Sequence, residues 1–201
     1  MIKVISIEGN IGSGKSTLLN QIRDSFADII ILQEPVDIWD TVKDSSGVNI
    51  LTNFYSDMKK YAFQFQMMAF ITRLRILNSV ITTNQGKNVI ILTERSVFTD
   101  REVFAKMLYS NGILDSISWQ IYNEYFNYLT NGVVINEYYY LDVNPDECLC
   151  RILSRNRPGE VIQLEYLKEC EMYHKQWLGN ESNVFYFNTP SGVINHIRKN
   201  T

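Results

Sequence analysis

Residues Gly9-Asn10-Ile11-Gly12-Ser13-Gly14-Lys15-Ser16-Thr17 carry the spacing G-x-x-x-x-G-K-[ST]. Glycines at these positions let backbone N–H groups converge on phosphate oxygens. A helix that opens directly behind them adds its positive end to the same point. Lys15 supplies a mobile cation for the β and γ phosphates, and Ser16 a hydroxyl ligand for Mg²⁺. The chemistry this run supports is binding of a nucleoside triphosphate, with ATP the expected donor. No N/T-K-x-D run, the usual guanine reader, accompanies it.

Two further sets of residues suit phosphoryl transfer. Glu34-Pro35-Val36 follows the second apolar run of the chain, and Thr93-Glu94-Arg95-Ser96 follows the third. Ligands of open α/β sheets bind beyond the carboxyl ends of the strands, so Glu34, Glu94 and Arg95 are expected beside the phosphate loop. One carboxylate can accept a hydroxyl proton. A second can join Ser16 in holding Mg²⁺. The guanidinium can offset charge on the transferred group. The plainer alternative for Glu94-Arg95 is an ion pair at a strand end. Arg151, Arg155 and Arg157, followed by Pro158-Gly159-Glu160, suit a lid over about residues 151–162 that closes on the phosphates of ATP. Here the alternative is a solvated basic face near a helix C-terminus.

Elements must hold these groups in place. Apolar runs at Lys3–Ile7, Asp28–Leu32, Asn88–Thr93, Tyr138–Val143 and Asn183–Phe187 predict five strands covered on both faces. Helix-length segments separate them, so the expected fold is an α/β phosphate-loop kinase with a five-stranded parallel sheet. From Tyr55 to Thr83 there is no Gly or Pro, which predicts one long helix. Apolar residues occur all round it, as in a helix buried on more than one side. One side can face the sheet and the other a second subunit, or the whole helix can lie in a monomer core. Tyr55, Gln66 and Arg73 fall within about 20° of one direction on such a helix, with Ala69 about 40° away.

Of the 201 residues, 45% are apolar and 20% charged, which describes one folded domain over 1–201. Nineteen basic against 22 acidic side chains give a net charge of −3, which argues against a broad basic face for nucleic acid. No apolar run reaches the roughly 18 residues of a membrane span. With a strand starting near Ile2, no leader is expected and the expected location is cytoplasmic. The odd count of three cysteines (Cys148, Cys150, Cys170) predicts free thiols, and they lack the spacing of a metal tetrad.

Taken together, the residues resemble the deoxynucleoside kinase family, with deoxycytidine, deoxyguanosine and insect-type members. The matching pieces are Glu8-Gly9-Asn10-Ile11…Gly14-Lys15-Ser16-Thr17, Glu34-Pro35-Val36…Trp39, Phe54-Tyr55, Phe63…Gln66, Arg73, Glu94-Arg95-Ser96-Val97…Asp100-Arg101, the three lid arginines and Leu164-Glu165-Tyr166-Leu167. The resemblance implies transfer of the γ-phosphate of ATP, with Mg²⁺, to the 5′-hydroxyl of a deoxynucleoside in nucleotide salvage. It implies that Glu34 or Glu94 is the base, that Glu94 lies beside Mg²⁺, and that Arg95 contacts the 5′-oxygen and the phosphate in transit. Tyr55 and Glu160 would hold the 3′-hydroxyl, Trp39 and Phe104 would wall the base, and Gln66 would read its edge. A homodimer packed through helices is also implied. The lid is about a residue shorter than in animal members, and the stretch 132–137 is also short.

Members that prefer thymidine carry small or apolar residues where this chain has Arg73 and Asp100. Asp accepts from the exocyclic amine of cytosine or adenine, and Arg donates to purine N7 or O6. Deoxycytidine and purine deoxynucleosides are therefore expected over thymidine. Three other functions compete: a thymidine-type deoxynucleoside kinase, a nucleoside monophosphate kinase, and a nucleotide-binding module without turnover.

Overall fold

The computed structural model describes residues 1–156 and 160–200. Arg157, one of the three expected lid arginines, lies outside the described residues. Five strands form the sheet: β1 (Ile2–Gly9), β2 (Ile29–Leu32), β3 (Val89–Glu94), β4 (Glu137–Leu141) and β5 (Val184–Phe187). Each falls on a predicted apolar run, with no end shifted by more than two residues. The order is β2-β3-β1-β4-β5, and all four pairings are parallel. From β1 the chain goes to one side for β2 and β3, then crosses to the other for β4 and β5. The reversal occurs at β1, and the crevice at its carboxyl end is where α/β folds bind ligands.

Helices cover the sheet. Helix α1 (Lys15–Ser25) starts at Gly14, whose φ of 97° turns the chain out of the phosphate loop. It buries Leu18, Leu19 and Ile22 against Ile5, Ile7, Leu92 and Leu141. Each such side chain contributes roughly 1.5–3 kcal/mol on leaving water. The C-terminal helix α10 (Pro190–Asn200) closes that side with Val193 and Ile197.

The predicted long helix is broken near its start. Helix α3 (Ile50–Ser56) ends at Asp57, and α4 (Met58–Thr83) begins there. The Asp57 carboxylate accepts from the Lys60 backbone N–H at 3.1 Å and caps α4, so Asp57 leaves helical geometry (φ −148°, ψ 80°). Tyr55 therefore sits on α3, and only Gln66, Ala69 and Arg73 share the predicted stripe on α4. Much of the apolar circumference of α4 is covered within the chain. Phe54 of α3 and Trp39 of the short α2 (Val36–Trp39) pack on one side. Tyr122 and Phe126 of α7 (Ser116–Leu129) pack on another.

After β3 come α5 (Val97–Thr99), a π-helical turn (Asp100–Ala105) and α6 (Lys106–Ser110). Helices α8 (Pro145–Arg155) and α9 (Leu164–Leu178) follow β4. All three cysteines are free. Cys148 and Cys150 on α8 diverge as their spacing requires, the first buried and the second exposed. Among the described residues no helix is long and apolar enough to cross a membrane.

Candidate active site

A cavity of about 610 Å³ opens at the carboxyl ends of β1, β2 and β3. That is the usual size of a small-molecule site. The phosphate loop forms one end. Gly12 has a φ of 80°, and a Cβ there would lie 2.5 Å from the Cys148 carbonyl oxygen. Only glycine permits that approach, and it seats α8 directly on the loop. Arg151 of α8 completes the contact by donating to the Ser13 carbonyl at 2.9 Å.

Lys15 is buried and turned onto its own loop. Its Nζ donates to the carbonyls of Gly9 (3.0 Å) and Asn10 (2.7 Å) and to Ser13 Oγ (3.4 Å). Burial pulls its pKa down to about 7, and the nearby Arg95 cation adds to that pull. Ser16 Oγ donates to Glu94 Oε1 at 2.8 Å. A hydroxyl and a carboxylate so close, beside a phosphate loop, form the hard oxygen donor set that suits Mg²⁺.

Arg95 follows β3 in left-handed backbone geometry, with φ of 60°. A non-glycine residue there costs on the order of 1–3 kcal/mol. The turn is held by Arg95 N–H donating to the Ile7 carbonyl (3.0 Å) and by Thr93 Oγ1 donating to the Arg95 carbonyl (2.7 Å). The result aims the guanidinium into the cleft. Its Nη1 lies 2.8 Å from Glu34 Oε1, and its Cζ lies 5.1 Å from the centre of the Phe104 ring.

The deep end of the cleft is a network of charges. Arg73 of α4 is nearly fully buried. It donates from Nε to Asp100 Oδ2 at 2.9 Å, from Nη1 to the Glu94 carbonyl at 2.6 Å, and from Nη2 to Glu34 Oε1 at 3.3 Å. Glu34 thus accepts from two arginines. Burial alone would raise its pKa, but Arg95, Arg73 and Lys15 together hold it down at about 2. Asp100 goes the other way. Burial pushes it up to about 6, and the neighbouring Glu34 charge opposes the lowering effect of Arg73. Arg73 itself stays charged throughout, since Asp100 and Glu34 outweigh its burial.

Every predicted acceptor-side residue lines this cavity: Glu34, Trp39, Tyr55, Gln66, Ala69, Arg73, Arg95, Asp100, Phe104 and Glu160. On the donor side Ile11, Gly12, Gly14, Lys15, Ser16, Thr17, Glu94, Arg151 and Arg155 do so too. Gly9, Asn10 and Ser13 form the loop behind, where the Asn10 side chain donates to the Leu167 carbonyl at 2.8 Å. Trp39 is fixed by its indole N–H, which donates to Thr72 Oγ1 at 3.0 Å, and by an edge-to-face contact with Phe65. Glu160 does not touch Tyr55 through a hydrogen bond. It forms a two-pronged ion pair with Arg155, with contacts of 2.6 to 3.0 Å. Burial, with the charges of Glu160 and Glu34, raises the pKa of Tyr55, so its phenol stays a donor.

Leu51, Phe54, Phe65 and Tyr166 also line the cavity and were not among the predicted site residues. Phe54 and Phe65 stack at 4.8 Å between centroids, forming an apolar wall next to Trp39. In the sequence Phe65 reads as an ordinary core residue, and Phe54 only as a part of the Phe54-Tyr55 motif.

A family model described as deoxynucleoside kinase matches residues 5–198. A probable deoxycytidine kinase of Fowlpox virus is 38% identical over 196 residues, covering 96% of this chain and 78% of the relative. The deoxycytidine kinase of Bos taurus is 32% identical over 196 residues, covering 88% and 75%. A mitochondrial deoxyguanosine kinase of Xenopus laevis is 29% identical over 210 residues, covering 96% and 79%.

Proposed function

The chain belongs to the deoxynucleoside kinase family, and within it we propose an enzyme that phosphorylates deoxycytidine and purine deoxynucleosides in preference to thymidine. The observation that carries this preference is the buried Arg73–Asp100 pair at the deep end of the cleft. A base with an exocyclic amine satisfies Asp100, whereas thymine presents a carbonyl and a methyl group. Sites built on buried polar groups discriminate strongly against ligands that leave them unpaired.

In the proposed reaction the 5′-oxygen bonds to the γ-phosphorus of ATP as the bond to the β–γ bridging oxygen breaks. The hydroxyl proton passes to Glu34. A carboxylate with so low a pKa is a weak base, but the transition state of phosphoryl transfer is loose and needs little early proton removal. Arg95, released from part of its pairing with Glu34, offsets charge on the transferred group. Lys15 exchanges its loop carbonyls for phosphate oxygens. Bound Mg²⁺ would neutralise charge between the phosphates, held by Ser16 and Glu94. In this reading Glu94 serves the metal side, beside the Ser16 hydroxyl, and Glu34 is the base. Tyr55 and Glu160 would hold the 3′-hydroxyl, with Arg151 and Arg155 over the phosphates.

A nucleoside monophosphate kinase would need cations for the acceptor's phosphate. Here Arg73 and Arg95, at the acceptor end, are both paired with carboxylates. An uncharged acceptor fits better. The whole chain is proposed to act as one kinase domain and to form a homodimer through the face of α4. Support comes from the exposed Ile71 on α4, together with Ile117, Ile121, Tyr125 and Tyr128 on α7, the helix packed against it.

The test is an initial-rate panel with Mg-ATP, the four deoxynucleosides and thymidine monophosphate, run beside Glu34→Gln. Turnover of deoxycytidine or a purine deoxynucleoside, lost in the variant, is the expected result. Highest kcat/KM for thymidine would overturn the preference, and turnover of the monophosphate alone would overturn the acceptor class. Sedimentation of the purified protein at micromolar concentration tests the dimer.

A further inference from the structure

Behind the cleft lies a buried ring that the reaction as described leaves unused. His174 on α9 is fully buried. Its Nδ1 lies 2.7 Å from the Cys170 carbonyl oxygen. A carbonyl only accepts, so Nδ1 carries the hydrogen and Nε2 presents a lone pair. Burial keeps the ring neutral, with a pKa near 3, in spite of that hydrogen bond and aided by the cations Arg95 and Lys15. Nε2 has no hydrogen-bond partner among the described residues. It faces Glu8 Oε2 at 3.9 Å, beyond hydrogen-bond reach.

Two of the ring's neighbours lead to Arg95, while Tyr140 packs on the ring at 5.7 Å between centroids. On one side His174 meets Phe104 edge-to-face, with centroids 6.4 Å apart at 88°. Phe104 in turn carries the Arg95 guanidinium on its face, and Arg95 Nε makes no hydrogen bond of its own. On the other side Glu8 accepts from Thr99 Oγ1 at 2.7 and 2.8 Å. Thr99 Oγ1 accepts from the Ser96 backbone N–H at 3.1 Å. That contact closes the turn immediately after Arg95, where the backbone is left-handed. The two arms start at one imidazole and end at the side chain and the backbone of one residue.

We propose that His174 is a positioning residue for Arg95, acting through the Phe104 ring and through the Glu8–Thr99–Ser96 network. A shorter side chain at 174 would let Phe104 tilt into the vacated space, and the guanidinium would follow. ATP would still bind, because the phosphate loop lies elsewhere, whereas the deoxynucleoside would feel the tilt of Phe104, which lines its side of the cavity. What suffers is the alignment of Arg95 with the phosphate in transit. Misplacement of that kind costs rate, not ground-state affinity.

The inference rests on the phosphoryl-transfer reading above, and its test separates the two. Initial rates are measured for wild type, His174→Ala, Arg95→Lys and the double variant, with Mg-ATP and the deoxynucleoside that wild type turns over fastest. His174→Ala is expected to lower kcat roughly tenfold to a hundredfold. The KM for ATP should stay within about twofold of wild type. In the Arg95→Lys background the same change should have almost no further effect, because the two residues act as one unit. Equal losses in both backgrounds, or a loss confined to KM, would overturn the proposal. The second readout needs no turnover. The Arg95 Nε–H resonance, identified by its disappearance in Arg95→Lys, should move in His174→Ala because the ring beneath it has tilted. An unmoved resonance overturns the proposal even if wild type phosphorylates no deoxynucleoside, an outcome that would by itself refute only the activity reading. If His174→Ala does not fold, His174→Gln, which also lacks the ring, takes its place with the same expected outcomes.

Discussion

At the phosphate end of the cleft, the groups that would meet the donor come mainly from nine consecutive residues and are largely backbone amides around one lysine. At the acceptor end, Glu34, Arg73, Arg95, Asp100 and Glu160 arrive from separate segments and meet as charged side chains, with the neutral phenol of Tyr55 among them. At the phosphate end Lys15 is held by carbonyls of its own loop. The acceptor end keeps its shape because each arginine is held by carboxylates, and Glu34 is shared between two of them. A change at the first end should therefore alter one contact with the donor. A change at the second should propagate, since removing one charge leaves others buried without a partner.

The largest expected effect tests that sharing at its centre. Glu34→Gln should lower kcat by about 10²- to 10⁴-fold, the range for loss of a general base. Initial rates measure it, and binding of nucleoside by calorimetry should survive the change. Next comes a pair of substitutions that should move stability in opposite directions at the two ends. Arg73→Met leaves Asp100 and part of Glu34 without their buried partner and should destabilise by about 3–5 kcal/mol in denaturant unfolding. Lys15→Met removes a buried cation that makes no carboxylate contact, so the melting temperature should rise while ATP binding is lost. Two losses of similar size would erase the contrast between the ends.

A smaller effect concerns pH at the acceptor end. Asp100 titrates near 6 in the folded protein and at an ordinary 3.8 when unfolded. Between those values the folded state holds a proton that the unfolded state has lost. The contribution of Asp100 to stability therefore falls as pH rises through that window. Selectivity should move the opposite way. Protonated Asp100 no longer accepts fully from an exocyclic amine, so the ratio of kcat/KM for deoxycytidine over thymidine should grow from pH 5 to pH 7. A flat ratio would detach Asp100 from base choice. The smallest effect belongs to the phosphate end. With Lys15 near 7 before ATP arrives, much of it is neutral at pH 8, and triphosphate restores its charge. Calorimetry in buffers of different ionisation enthalpy should then record uptake of a fraction of a proton on ATP binding. No uptake would mean that Lys15 is fully charged beforehand.

The same division explains what could be read from the chain. The phosphate loop is contiguous, so its pattern is visible without a fold. Glu34, Glu94 and Arg95 were reachable because strand ends converge in a parallel sheet. Placing Tyr55 on the same helix as Gln66 failed at Asp57, a residue type that favours N-caps and whose side chain caps α4 here. Phe65 was not assigned to the site, and Phe54 and Tyr166 entered only as pieces of the family motifs, because an apolar residue that walls a ligand has the same composition signal as one that fills a core. The pairing of Glu160 with Arg155 could not be read either, since both side chains are long and flexible. Nor does anything in the local sequence tie Glu8 to His174, which lie 166 positions apart.

The left-handed backbone at Arg95 has one more consequence. A glycine there would relieve the strain and an asparagine would reduce it, and either would remove the guanidinium from the cleft. Random variants screened only for resistance to heat would accumulate such replacements, and variants screened only for turnover would reject them. At this single position, selection for a sturdier protein and selection for a working one pull in opposite directions.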